Sequence, residues 1–178
     1  MIEAWPRGLI STGYRIFEDG RRLGSLDYPL ITFAYRARLT IGDEAYEASA
    51  RWERKGFISV GTEHSFSLQG KAGVVVRSES MAGLTRRHRI FHDAHEYVLA
   101  QGASLDLFDV LFTAEFPLLR GEEHLGTIKA RGPLCRSFQV GLPSEVPLLA
   151  RLFALYLATV MASYSPLRLR VCLRPGYP

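Results

Sequence analysis

The chain has 178 residues, which suits one domain that can bury a core without help from disulfide bonds or metal ions. Hydrophobic residues make up 47% and charged residues 22% of it, as in ordinary globular proteins, and this composition argues against long disordered stretches. The net charge of +4 is mild, and acidic residues are interspersed with the basic ones. Because nucleic-acid-binding proteins concentrate positive charge on one face, this distribution argues against a nucleic-acid partner.

The N-terminus and the two cysteines bear on the compartment. The first six residues, MIEAWP, have no basic segment followed by an apolar run, so no secretory signal is predicted. Cys135 and Cys172 form no C-x-x-C motif, and free thiols in a reducing compartment are the simplest interpretation. We therefore expect a cytoplasmic protein, at most peripheral to a membrane.

Short strand-like runs recur along the chain, separated by turns that contain Gly or Asp. Asp19 and Gly20 separate two such runs, residues 14–17 and 22–26, and this is typical of a β-hairpin. Residues 31–41 then alternate between apolar and polar side chains, which predicts a strand with one buried and one solvated face.

Further runs of this kind follow at residues 46–52, 57–60, 65–68, 73–79, 88–91, 97–100, 105–112, 116–119, 125–130 and 137–140. About twelve short strands at regular spacing predict a mostly β fold, either a barrel or a sandwich. Two hairpins resemble each other in sequence, residues 20–26 (GRRLGSL) and 121–128 (GEEHLGTI), and each has a glycine inside its second strand. A glycine there marks a bulge or a close backbone approach. The likeness fits a duplicated sheet unit and fits two ordinary hairpins equally well.

A strongly apolar helix is predicted at residues 144–164, with Ser144 as its N-cap and Pro166 beyond its end. It is apolar on every side and is interrupted only by Arg151 and Thr159, as in a core helix or a membrane span. Arg151 would cost about 2.5–3.5 kcal/mol at the centre of a bilayer, and residues 152–164 alone are too few to cross one. The pattern thus favours a helix enclosed by the strands. Residues 168–173 alternate again and suggest a last strand.

Three segments carry a resemblance to a known superfamily: residues 17–24 (FEDGRRLG), residues 125–128 (LGTI) and the apolar helix at 148–162. In this pattern the chain resembles the tubby-like C-terminal domains, a superfamily that includes the phospholipid scramblases and the LURP-one-related proteins. The resemblance implies a single domain over residues 1–178, a closed antiparallel barrel of about twelve strands around a central apolar C-terminal helix. It also implies membrane-related functions, because tubby domains bind phosphoinositide head groups through basic residues on the barrel wall.

Two groups of arginines are the candidate anion-binding residues: Arg36 and Arg38, and Arg86, Arg87 and Arg89. The forked guanidinium group suits phosphate oxygens, and two arginines at alternate positions of a strand project on one face roughly 6.5–7 Å apart. The alternative interpretation is a solvated strand edge, where charges discourage aggregation.

No metal, cofactor or catalytic motif is predicted. On a strand, His88 and His92 would lie ~13 Å apart and could not share an ion, and His92, Asp93 and His95 have no obvious further ligand. No G-x-S-x-G motif is present, and no glycine-rich phosphate loop precedes a helix.

Three functional hypotheses follow from the sequence. The first is a non-catalytic binding or interaction module that binds an anionic lipid head group or a similar acidic ligand. The second is a small-ligand carrier or an enzyme that uses a cavity in the barrel, which requires the helix to lie elsewhere. The third is a membrane protein anchored by residues 146–164. The sequence predicts no particular protein partner.

Overall fold

The computed structural model describes residues 1–8, 13–28, 36–54, 62–81, 87–101, 113–132 and 137–163. Within them lies one helix, α1 (Leu148–Ser163). The strands are β1 (Ile2–Pro6), β2 (Gly13–Glu18), β3 (Arg21–Asp27), β4 (Arg36–Ile41), β5 (Glu44–Arg54), β6 (Thr62–Gly70), β7 (Gly73–Met81), β8 (Arg87–His92), β9 (His95–Ala100), β10 (Thr113–Arg120), β11 (Glu123–Arg131) and β12 (Ser137–Gly141).

The strands form a closed barrel in which every strand is antiparallel to both of its neighbours. Successive strands are adjacent, and β1 closes the ring by pairing with β2 on one side and with β12 on the other. This confirms the predicted barrel of about twelve strands. The sequence did not predict β1, whose five residues are too few for a clear alternation. The predicted runs at 57–60, 105–112 and 168–173 lie outside the described residues.

The two ends of the barrel differ in how the strands are connected. Five two-residue turns, at residues 19–20, 42–43, 71–72, 93–94 and 121–122, lie at one end, which we call the turn end. The strands that are joined through undescribed segments have their termini at the opposite end, which we call the far end. Because α1 follows β12, which ends at the turn end, the helix begins there.

Three hairpins, β2–β3, β6–β7 and β10–β11, share one geometry. In each, the register shifts near the turn because the second strand carries one extra residue: Leu23, Val75 or Leu125. All three extra side chains are partly buried against the core. Since these hairpins recur at every fourth strand, the ring has an approximate three-fold repeat, β1–β4, β5–β8 and β9–β12. The two hairpins that resemble each other in sequence belong to this set, and the third has Val76 where they have glycine.

The core lies inside the ring and is built from alternate residues of the strands together with α1. On β4, Ala37 and Leu39 are buried while Arg36 and Arg38 are exposed, as the alternation predicts. On α1, residues 152–162 are all buried. The helix contacts β2 and β8, which lie on opposite sides of the ring, through the Arg151–Glu18 ion pair and through packing. The apolar helix is therefore central, as predicted.

The start of the helix differs from the prediction. Ser144 lies in a turn in which the Val146 amide donates to the Pro143 carbonyl, and the helix begins only at Leu148. The Arg151 amide donates to the Pro147 carbonyl at 3.0 Å, so Pro147 accepts the first helical hydrogen bond and Ser144 is not the N-cap. The reason is that the chain needs an extra turn between the end of β12 and the axis of the barrel.

Among the described residues, polar contacts hold the helix to the wall at two places, one near its start and one in its second half. At the turn end, the Arg151 guanidinium lies 3.3 Å from the Glu18 carboxylate. Further along, the Thr159 hydroxyl donates to the Tyr156 carbonyl, and the Tyr28 hydroxyl is hydrogen-bonded to Thr159. Because the single proton of Thr159 is used by the carbonyl, Tyr28 is the donor in the second bond.

The pKa values of two tyrosines, Tyr28 beside the helix and Tyr156 on it, are raised above the ordinary value. Burial raises the pKa of the Tyr28 phenol well above its ordinary value, and the neighbouring Tyr156 adds to the rise. Burial likewise raises the pKa of Tyr156. The rings of these two residues stack at 6.2 Å between centroids, so a phenolate on either one would be enclosed by aromatic surface. The folded protein therefore keeps both phenols protonated.

Replacing Gly24 or Gly126 by alanine is expected to lower the free energy of unfolding by about 1–3 kcal/mol. A Cβ at Gly24 would lie 1.9 Å from the Thr40 carbonyl oxygen, and one at Gly126 would lie 2.1 Å from the Gly141 carbonyl oxygen, so the backbone has to move. Chemical denaturation of each variant measures the change. Gln139→Ala, on the outer wall, is the control and should stay within about 0.5 kcal/mol of the parent; equal losses in all three would contradict this packing argument.

Raising the pH above about 10 should destabilise the protein, because the unfolded chain releases its tyrosine protons near that pH and the folded chain retains them. The stabilising contribution is complete below the unfolded pKa and is lost progressively as the pH rises from there through the raised pKa of the folded state. Denaturant midpoints between about pH 8 and about pH 11 measure the slope. Tyr28→Phe combined with Tyr156→Phe should flatten it, and an unchanged slope in that variant would show that other groups are responsible.

Candidate anion-binding rim

Of the two predicted arginines on β4, only Arg36 has no acidic neighbour in the cross-strand register. Arg38 stands opposite Asp27 on β3 and opposite Glu47 on β5, so carboxylates flank it on both sides. Arg36 stands opposite Ser49, at the far end of the strand. Both side chains are exposed. Arg36 is therefore available to an anionic ligand, whereas Arg38 has a carboxylate on each neighbouring strand but forms no ion pair among the described residues.

The second predicted group, on β8, shows the same division. Arg89 stands opposite Glu79 on β7, and its Nε lies 3.2 Å from the Glu96 carboxylate on β9. Arg87 stands opposite Met81 and Ala100, neither of which carries a charge. Arg86 lies outside the described residues. Among the described members of this group, Arg87 is thus the one without an acidic cross-strand neighbour.

The two arginine pairs occupy equivalent positions in the three-fold repeat, so they do not form one site. β4 and β8 are four strands apart in the ring, a distance of roughly 19 Å along the wall. The third equivalent strand, β12, has Ser137 and Gln139 at these positions. Arg38 and Arg89 thus belong to cross-strand rows of alternating charge, and Arg36 and Arg87 lie at the far end of the barrel.

Arg36 and Arg87 share the far end with three other exposed residues, Trp5, Arg7 and Arg131. We call these five residues the far rim. Arg7 forms an ion pair with Asp27 at 2.8 Å. Within the part of the chain that the structure describes, Arg36, Arg87 and Arg131 form no ion pair. These three arginines lie on β4, β8 and β11, so they are distributed around the ring and not clustered on one side.

The turn end has the opposite charge. Four of its five turns contain an acidic residue, Asp19, Asp43, Asp93 or Glu122, and Glu18, Glu44 and Glu123 adjoin them. The described cations at this end are Arg21, Arg22, Lys71, Arg120, Arg151 and the Met1 ammonium, of which the last three are paired with carboxylates. Among the described residues, carboxylates therefore outnumber cations at the turn end, whereas the exposed charged residues of the far rim are arginines. This difference in charge between the two ends runs along the barrel axis, and the net charge of the chain does not reveal it.

Sequence reasoning did not identify Trp5, Arg7 or Arg131 as candidates. Each is an isolated residue in its own segment, and the far rim is assembled only when β1 pairs with β2 and β12. Trp5 is 48% exposed, which is unusual for so large an apolar side chain. The local sequence contains no signal for these residues, because the relevant neighbours are distant in the chain.

The interior contains two of the predicted histidines. His88 and His92 lie on the inner side of β8, with buried Ile90 between them, and the His88 ring packs edge-on against Phe66 at 5.3 Å. His92 and Asp93 are 3.2 Å apart, and His95 is exposed beside them. Among the described residues, no group of three or more His, Cys, Asp or Glu side chains is arranged to hold a metal ion. The hypothesis of a ligand cavity required the helix to lie outside the barrel. In the structure, α1 occupies the centre of the barrel.

The remaining hypothesis concerned a membrane anchor. Among the helical residues that the structure describes, none forms a segment with the length and hydropathy needed to cross a membrane. The helix proposed as the anchor packs against the strands of the barrel.

No protein family, curated protein or solved structure matches this chain. The resemblance to tubby-like domains therefore stays a prediction, and the candidate function has to be argued from the residues of the chain itself.

Proposed function

We propose that this domain is a non-catalytic binding module that docks its far rim onto anionic lipid head groups at a membrane surface. The observation that carries the proposal is the far rim, where Arg36, Arg87 and Arg131 form no ion pair, together with the excess of carboxylates among the described residues of the turn end. An anionic membrane attracts the far rim and repels the turn end. This difference in charge therefore supports both binding and a single orientation.

The magnitude expected from three arginines is sufficient for reversible binding. A basic residue close to an anionic membrane contributes about 1 kcal/mol, so Arg36, Arg87 and Arg131 together favour the bound state by roughly a hundredfold. Arg38 and Arg89 add less under this proposal, because Arg89 is paired with Glu96 and Arg38 has carboxylates on both neighbouring strands that also repel an anionic surface. The candidate residues are thus a subset of those predicted from the sequence, extended by Arg131.

Sedimentation with lipid vesicles tests the proposal. The parent protein should sediment with vesicles that contain phosphatidylserine and should stay in the supernatant with phosphatidylcholine alone. The variant Arg36→Glu/Arg87→Glu/Arg131→Glu should bind phosphatidylserine vesicles at least roughly a hundredfold more weakly, since each substitution replaces attraction by repulsion.

The matched control is Arg21→Glu/Arg22→Glu/Lys71→Glu, which makes the same change in net charge at exposed positions of the turn end. It should retain most of the binding. Equal losses in the two variants would mean that only net charge matters, and a parent protein that ignores phosphatidylserine would refute the proposal.

A further inference from the structure

We infer that Trp5 anchors the far rim in the membrane interface, so that the barrel docks on three points: Arg36, Arg87 and Trp5. This inference rests on the proposed function, because it assigns a membrane surface as the partner of the same rim. It adds an aromatic contact that charge alone does not provide, and it predicts which property of the membrane is recognised.

The three points occupy equivalent places in the three-fold repeat. Arg36 stands opposite Ser49 across β4 and β5, and Arg87 stands opposite Ala100 across β8 and β9. At the third place, Ser137 and Trp5 follow one residue beyond the last register pair of β12 and β1. Each place thus has one small residue and one large residue, an arginine twice and a tryptophan once. The three places divide the ring into thirds of four strands each.

The comparison within the repeat indicates that the fold does not require a tryptophan at this position. The residues equivalent to Trp5 are Ser49 and Ala100, and the barrel wall is complete at both places. The indole lies outside the core, its cross-strand neighbour on β2 is Arg15, and its Nε1 donates one hydrogen bond, to the Glu3 carboxylate at 3.3 Å. Because this large side chain makes so few contacts that stabilise the fold, we infer that it contacts a partner outside the molecule.

The position of Trp5 distinguishes it from the other exposed apolar side chains. Among the described residues, the large hydrophobic side chains that are most exposed are Met1, Trp5 and Val74. Met1 and Val74 lie at the turn end, so Trp5 is the one that lies at the far rim with Arg36, Arg87 and Arg131. Tryptophan prefers the membrane interface, where its apolar ring enters the boundary of the acyl chains and its N–H group stays hydrated.

A planar lipid surface suits this arrangement better than a nucleic acid does. Single-stranded nucleic acids are bound in grooves where several aromatic rings stack on successive bases. The described part of the far rim offers one indole, and its arginines are spread around a convex ring. Points a third of the ring apart fit contacts with separate lipids of one surface better than contacts with successive bases of one strand.

The spacing of the three points also predicts what the rim recognises. Arg36 and Arg87 lie roughly 19 Å apart along the wall, which is too far for one phosphate group to contact both. Each point therefore contacts a different lipid, and the rim responds to surface charge and not to the identity of one head group. Vesicles of phosphatidylserine and of phosphatidylglycerol with equal charge should bind equally well.

Trp5→Ser, which introduces the residue found at the equivalent position 49, tests the anchor. It should weaken binding to phosphatidylserine vesicles roughly tenfold, and most strongly at high salt, because screening removes the arginine contribution and leaves that of the indole. Val74→Ser is the matched control: it removes a comparably exposed apolar side chain, 55% against 48%, from the turn end and should leave binding unchanged.

The fluorescence emission of Trp5 distinguishes a membrane contact from a structural role, because only a membrane contact changes the emission when vesicles are added. The chain has two tryptophans, so the variant Trp52→Phe leaves Trp5 as the reporter. Its emission should shift to the blue on phosphatidylserine vesicles and should be quenched by brominated acyl chains. Vesicle binding that depends on the arginines without any change in this emission would overturn the anchor and leave the proposed function intact. A shift with single-stranded DNA but not with vesicles would overturn both.

Discussion

A ring of twelve strands encloses a space that its own side chains do not fill, and this constraint governs the rest of the molecule. Eight strands leave an interior just wide enough for side chains, and sixteen leave an open channel. This barrel lies between those limits and places a whole helix in its lumen. The requirement explains why α1 is apolar on every side, and why the bulged hairpins direct Leu23, Val75 and Leu125 toward the core. The space in which other barrels hold small ligands is here occupied by the helix.

The outer wall is consequently the place where this chain can differ from a plain scaffold. Most of its charges are compensated by neighbours on the adjacent strands, as Glu115 is by Lys129 at 3.0 Å. The charges without such a neighbour are the ones that can attract an external ligand, because an uncompensated cation retains its full attraction for an anion. The internal repeat supplies a comparison within one chain: equivalent positions experience similar backbone surroundings, so a residue that departs from its counterparts points to a demand that does not come from folding.

The sequence predicted the architecture far better than the surface. Strand alternation and an all-round apolar helix are local patterns, and both were sufficient for the barrel and its central helix. The start of the helix was placed too early, because Ser144 has the right chemistry for a cap and only the path from β12 to the barrel axis decides where the helix begins. The arginine pairs were visible as i, i+2 patterns, but their division into compensated and free members depends on β3, β5, β7 and β9. Trp5 was missed because a five-residue strand is too short for a clear period and one of its two neighbouring strands, β12, lies more than a hundred residues further along the chain.

The closure of the ring by β1 has a consequence for the order of folding. β1 pairs with β12, so the seam joins the first and last strands of the barrel, and the ring cannot close before β12 and the start of α1 exist. Such non-local pairing is slow, and until it happens the free edges of β1 and β12 are exposed to pairing with other chains. During synthesis, the sheet therefore stays open until β12 and the helix α1 have been made. The acidic turns and the charged outer wall would keep neighbouring sheets apart over that interval.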